Sequence, residues 1–537
     1  MSSDKEQTFI NGKIFTARSE DDFVSAFRVA GGKITWVGDA SEVNDVRAID
    51  LKGRTVLPGF IDVHTHPTYV AMTLHAMPCT VPLVKDIPEM IAALKKHPNY
   101  GKGADAWVEG WGYDESKLAE RRTPTAADLD LVSTSQPVYV MRSDCHSGIC
   151  NTRALALAGI TRDTPDPEGA RFGRYENGEP NGVLQEHAAN DVVLRAKASP
   201  DYDSKVSSIA DTGEHYNERG IVAVADMMAH VHPFDDLRIY RDAERLGLKQ
   251  QAALYFVWPA LSENGVPDLM DEQRRGRVKF AGLKLFADGS VSGRTAWMCG
   301  HYRGDGHGYS TLKDVDLQSG YEWARRNGVQ VAVHAMGDRA LQRIIDFFTD
   351  KEPWMGAHVP SVRLEHATML SESQMRQMKE SRMVFGVATQ IIFFFAEHDS
   401  YVENLTDRQY REAYPVKSFY ENIEYVGLSS DAPATTWADP DNVFVSIKAA
   451  VTRRAYNGAD IVPEQAVTVP QAVLLYTARA GTVAPFEGRL GRLAEGFEAS
   501  FIILDRDIFI IDADEIDQTL VEQTWIRGEK VYERRYA

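Results

Sequence analysis

Two histidines one residue apart, His64 and His66, close the apolar run Val56-Leu57-Pro58-Gly59-Phe60-Ile61-Asp62-Val63-His64-Thr65-His66-Pro67. Side chains at i and i+2 of a strand project to one face, so both imidazoles can reach a single point. Neutral imidazole is the commonest protein ligand for a metal ion. By itself the pair also fits an ordinary surface strand. Further residues with chemical capability end later apolar runs. Lys284 sits in Gly282-Leu283-Lys284-Leu285-Phe286, His334 in Val331-Ala332-Val333-His334-Ala335, His366 in Arg363-Leu364-Glu365-His366-Ala367, and Asp431 follows Gly427-Leu428-Ser429-Ser430. Each has a plain structural explanation on its own. A strand-end histidine packs in a core, a lysine snorkels from a strand end, and Asp431 caps a turn before Ala432-Pro433. Their joint placement, in order at successive strand ends, is what a barrel enzyme needs, because (β/α)8 enzymes build their sites there.

The elements that must position these residues are legible as an alternation of strand-like and helix-like segments, the pattern of a parallel α/β sheet. Strands are expected at Val56–Val63, Ile221–Asp226, Ala252–Trp258, Phe280–Phe286, Val329–His334, Val362–His366, Met383–Thr389 and Ile423–Ser429. Helices are expected between them, as at Leu317–Arg326, Arg339–Phe348 and Ser371–Lys379. Eight strands favour a closed (β/α)8 TIM-like barrel over residues 56–486. The excursion over residues 68–215 after the first strand is too long for a loop and carries its own strands, so it reads as a cap insertion. Both chain ends are rich in short strands and turns, including the hairpin dipeptide Asn11-Gly12. Residues 1–55 and 487–537 therefore read as one small β-sandwich domain assembled from both termini.

Composition bounds the partners. The net charge of −18 argues against nucleic acid or an anionic membrane surface. Four cysteines, Cys79, Cys145, Cys150 and Cys299, form no disulfide framework in so long a chain and suggest a reducing compartment. The first residues are polar, without the apolar core of a signal peptide, and no stretch reaches the apolar length of a membrane span. A cytoplasmic location is the expectation.

The order His-x-His, Lys, His, His, Asp on successive strands resembles the amidohydrolase superfamily of metal-dependent hydrolases. Finer motifs resemble its YtcJ-like subfamily, which includes N-substituted formamide deformylase. They are Leu283-Lys284-Leu285-Phe286-Ala287-Asp288-Gly289-Ser290, Val333-His334-Ala335-Met336-Gly337-Asp338 and Arg363-Leu364-Glu365-His366-Ala367. Asp144-Cys145-His146-Ser147-Gly148, Asn151, Gly182-Val183-Leu184-Gln185-Glu186 and Gly488-Arg489-Leu490-Gly491-Arg492-Leu493 add to them. Ser500 departs from the family, which usually has Asp there.

The resemblance implies that His64, His66 and Asp431 hold one divalent ion and His334 and His366 a second, with a single ion, as in some superfamily members, the alternative. Lys284, carbamylated by CO2 to an N6-carboxylysine, would bridge the two. Zinc suits such donors, with iron, manganese or cobalt as alternatives, and Glu186 is a further ligand candidate. Asp431 and His146 are the expected catalytic groups. His146, Trp111 and Arg294 are the expected substrate contacts, and Asp288 and Asp338 are weaker candidates with capping roles. The implied reaction is hydrolysis of a non-peptide C–N bond in a small-molecule amide, N-substituted formamide or cyclic amide; barrels of this class often form homodimers, and the oligomeric state stays open. Two alternatives stay open: a deaminase of the same superfamily acting on a heterocyclic amine, and a barrel that binds without catalysis.

Overall fold

Eight parallel strands follow one another in chain order: β1 Phe60–Thr65, β2 Ile221–Ala229, β3 Gln251–Val257, β4 Val278–Phe286, β5 Gln330–Ala335, β6 Val362–His366, β7 Phe385–Thr389 and β8 Tyr425–Leu428. The computed structural model describes residues 6–535 apart from 144, 146, 198–200, 264, 266, 267 and 357. Two compact units are present. One holds the residues up to His66, Ile209–Ser430 and Asp441 onward, the other Pro67–Ser208 with Asp431–Pro440.

In the first unit each strand pairs with the next, and the sheet curls until β8 lies beside β1. Side chains join these two. A Cβ on Gly427 of β8 would stand 3.0 Å from Val63 Cγ2 of β1. Asp62 of β1 accepts from the Ser430 backbone N–H at 3.2 Å and from its hydroxyl at 2.5 Å. The architecture is a TIM-like barrel. Its helices pack by apolar stripe: Asp338–Phe348 buries Ala340, Leu341, Ile344, Ile345 and Phe348, the spacing of one helical face.

The apolar run Val56–Val63 is not the single strand its composition suggests. Thr55–Pro58 pairs with Phe501–Leu504 and Lys13–Phe15 in a six-stranded sheet, and β1 begins at Phe60. The Gly59 N–H donates to the Ser500 carbonyl at 3.0 Å and the Phe60 N–H to the Gly220 carbonyl at 2.9 Å, so the chain changes sheets across one peptide. A Cβ at residue 59 would lie 2.3 Å from Val222 Cγ1, so the crossing has room only for glycine. Both sides of the crossing are buried, so hydrophobicity gives no sign of it. Trp258, expected to end the third strand, instead starts a short helix, Trp258–Glu263.

The chain ends form this six-stranded sheet and a four-stranded one. Their side chains share one apolar cluster, in which Phe9 stacks on Phe27 at 4.7 Å and Phe501 on Trp525 at 5.4 Å. The second unit has its own six-stranded sheet, from Met77–Pro78 to Arg171–Arg174, and its own core around Met90, Leu94, Val108 and Val138. There Asn151 is buried and satisfied. It accepts from the N–H groups of Val138 and Ala154 and donates to the carbonyls of Ser133 and Gln136. No helix among the described residues is long and apolar enough to cross a membrane.

Candidate metal centre

The chemically capable residues gather at the C-terminal ends of the barrel strands. His64 is the penultimate residue of β1, with His66 just beyond it. His334 is penultimate in β5 and His366 ends β6. Asp431 follows Leu428, the last residue of β8, by three positions. Ring centroids lie 5.5 Å apart for His64 and His66, 4.9 Å for His64 and His366, and 4.3 Å for His334 and His366. One ligand-type atom from each of His64, His66 and Asp431 falls within 4.8 Å of the others. Among the described residues this is the one group of His, Cys, Asp and Glu so arranged. Two imidazoles and a carboxylate at this separation fit a divalent ion. Lys284 lies two residues before the end of β4, fully buried, its Nζ 5.2 Å from the centroid of the Phe286 ring.

Partners of the rings fix which nitrogen can ligate. His64 Nδ1 lies 2.6 Å from Glu365 Oε2, with both groups buried. Glu365 is ionised, so Nδ1 is the donor and Nε2 keeps its lone pair. His366 Nδ1 lies 2.8 Å from Gln390 Oε1, whose amide nitrogen donates to Ser429 Oγ at 2.9 Å. His366 therefore also presents Nε2. His334 reverses the pattern: its Nε2 donates to the Gly289 carbonyl at 3.0 Å, leaving Nδ1 for a ligand role. Such outer partners orient ligating histidines and raise their basicity.

Electrostatics bear on the same groups. Burial pushes the Glu365 carboxyl up, but Arg363, the His64 hydrogen bond and Lys284 outweigh it and hold the group at about 2. Asp62 is pushed up to about 7 by burial, which the hydrogen bonds from Ser430 and His64 only partly offset. Asp288 is pushed up to about 7 by burial, against N–H bonds from Met336, Gly337 and Trp297 at 2.8–3.0 Å. His366 and Asp431 adopt left-handed backbone, with φ of 68° and 55°. Non-glycine residues pay for that conformation, and it clusters at functional sites.

The remaining expected residues are placed as follows. Trp111 is buried in the second unit on the strand Val108–Tyr113. Glu186, also there, precedes the helix His187–Leu194 and is exposed. The exposed Arg294 donates to the carbonyls of Arg303 and Asp305 at 3.0 and 2.6 Å, bracing its own loop. His146 lies outside the described residues. Asp288 is not a local turn cap, since its N–H donors come from the segment after β5 and from Trp297. Gly337 is the N-cap that Asp338 was expected to be, and the Asp338 carboxylate accepts instead from Cys299 N–H. Sequence reasoning assigned no role to Glu365 or Gln390. For Glu365 the signal was present: Arg363 and Glu365 stand two apart in an apolar strand, hence on one face.

A family model described as the amidohydrolase family matches residues 47–532. The chain belongs to the amidohydrolase family. Among family relatives, N-substituted formamide deformylase of Arthrobacter pascens is 26% identical, over 99% of this chain and 99% of that protein. YtcJ of Bacillus subtilis (strain 168) is 27% identical, over 97% and 98%. A solved metal-dependent hydrolase from Pyrococcus horikoshii OT3 superposes with a TM-score of 0.74 at 26% identity, covering 95% of this amidohydrolase and 99% of that chain.

Proposed function

We propose that this chain is a metal-dependent hydrolase of a non-peptide C–N bond in a small amide, N-substituted formamide or cyclic amide. The observation that carries the reading is the convergence of His64, His66 and Asp431 within 4.8 Å at the barrel's strand ends. Those three would hold one divalent ion. His334 and His366 would hold a second, and Lys284, as a carbamate formed with CO2, would bridge them. A buried ammonium would repel the ions, whereas a carbamate is a two-oxygen anion that satisfies them. Zinc suits the donors. When bound, the metal supplies Lewis acidity, lowering the pKa of water toward about 7.

The protein's own groups do the rest. One carboxylate oxygen of Asp431 accepts the proton of the attacking water and passes it to the departing nitrogen, so the amine leaves neutral. Glu365 and Gln390 keep the rings of His64 and His366 in the ligating tautomer. Phe393, stacked on His366 at 5.9 Å, gives the site an apolar wall suited to a bulky N-substituent. Specificity is assigned to the insertion 68–215. Trp111 and His146 in it, with Arg294, are assigned to the substrate, and Glu186 to an additional ligand position. Four cysteines in so long a chain suit a reducing compartment and a cytoplasmic enzyme, here proposed to work as a homodimer.

The test is elemental analysis of the purified protein, then amine release from a panel of N-formyl, N-acyl and cyclic amides. Stoichiometric metal and amine release are expected. Asp431→Asn should lower kcat by about 10²–10⁴-fold while leaving the fold intact. Metal-free protein with full activity, or an unimpaired Asp431→Asn, would sink the reading.

A further inference from the structure

Arg363 and Glu365 of β6 both cross the barrel interior, where neither is exposed to solvent. Glu365 Oε2 lies 2.6 Å from His64 Nδ1 on β1, a strand not adjacent to β6. Arg363 clasps Glu365 through Nε to Oε1 at 2.9 Å and Nη2 to Oε2 at 3.1 Å. The same Nη2 donates to the Val63 carbonyl at 2.7 Å, on the peptide that leads into His64. Nη1 donates to the Tyr255 hydroxyl of β3 at 2.9 Å. A pair on one strand therefore grips a single histidine of another twice, at its backbone and at its ring.

A buried ion pair is a poor way to stabilise a core, because apolar residues of equal volume serve as well or better. The geometry asks for another reason, and His64 supplies it. We propose that Arg363 and Glu365 are positioning residues, which fix the backbone and the ring tautomer of His64 so that Nε2 faces the metal. This rests on the metal-dependent reading of the site. Glu365 supplies the acceptor that holds the proton on Nδ1, and Arg363 keeps Glu365 in place while pinning the Val63 peptide. Because β6 itself ends in His366, the same device sets His64 relative to a residue of the second ligand group.

Two variants test it. Glu365→Gln removes the anion, and the double variant Arg363→Met with Glu365→Leu replaces the pair by apolar volume. The double variant keeps the test open if the single one leaves Arg363 too costly to bury. Zinc affinity is measured by dye competition on metal-free protein, with thermal melts of the same samples. Both variants are expected to bind zinc about 10–100-fold more weakly, the usual effect of losing such a partner. The metal-free double variant should melt close to the parent. An imidazole ¹⁵N spectrum of metal-free parent, assigned with His64→Asn, should show His64 protonated at Nδ1. Parent-like zinc affinity in the double variant, or a parent His64 protonated at Nε2, would overturn the proposal. A parent that binds no zinc would fell the functional reading instead, and the His64 spectrum would still decide the positioning role.

Discussion

Asp62 and Ser430 join the first and last strands of the barrel, the Ser430 hydroxyl donating to Asp62 Oδ2 at 2.5 Å and its N–H to Oδ1 at 3.2 Å. The bond also sits between proposed ligands, because Asp62 stands two residues before His64 and Ser430 one before Asp431. Closure of the barrel and spacing of the site are thus one structural problem. Ser430→Ala leaves a buried carboxyl short of a donor, at a cost of about 1–3 kcal/mol in urea unfolding. Metal affinity should fall with it. A variant equal to the parent in both measurements would show that the seam closes by other means.

Gly59 passes between the terminal sheet and β1 with no room for a side chain, its Cβ position 2.3 Å from Val222 Cγ1. Gly59→Ala should destabilise by about 1–3 kcal/mol through overpacking. Val222→Ala removes the obstructing methyls, so the double variant should lose less than the sum of the two single losses. Additive losses in a denaturant series would mean that the clash is not the cause.

These residues show what the sequence could and could not disclose. The eight barrel strands and the polar residues gathered at their ends were legible, because strand ends in a parallel barrel show as apolar runs closed by polar residues. The sheet change at Gly59 was not, because residues on both sides of it are buried and apolar. The tautomer-setting partners were hidden for another reason. Gln390 belongs to the segment after β7 and meets His366 only in three dimensions. Glu365 was visible beside its ligand neighbour, but its target His64 is 301 residues away. Asp288 reads as a local turn residue, and its N–H partners Met336 and Gly337 come from the segment after the next strand, β5.

Asp441, buried, and His215, half-buried, form a second carboxylate–imidazole pair, Oδ2 to Nε2 at 2.5 Å, outside the proposed ligand set. Burial raises the Asp441 carboxyl, but His215 and then Arg219 outweigh it and bring the group down to about 2 from 3.8. A carboxyl depressed in the folded state stabilises fully above its unfolded value and loses that contribution as pH falls through its folded value. The pair should therefore stabilise the fold above the ordinary carboxylate range and lose that contribution as the pH falls below it. Asp441→Asn should flatten that limb of the stability–pH curve in denaturant titrations. An unchanged acid limb would assign acid unfolding to other carboxylates.

Lys284 gives the last prediction. It is fully buried on β4, and its charge acts on Glu365. An ammonium there repels a divalent ion, whereas its carbamate attracts one, so metal uptake and CO2 capture should be linked. Metal-free protein reloaded in bicarbonate buffer is expected to take up more zinc per chain than protein reloaded in CO2-depleted buffer. Lys284→Ala should show no such difference. With ¹³C-bicarbonate, the loaded parent should give a carbamate carbon resonance that Lys284→Ala lacks. Uptake independent of CO2 and no such resonance would leave Lys284 a plain buried cation. The histidines and Asp431 would then have to bind their metal against its charge, and a single ion on His64, His66 and Asp431 would become the preferred arrangement.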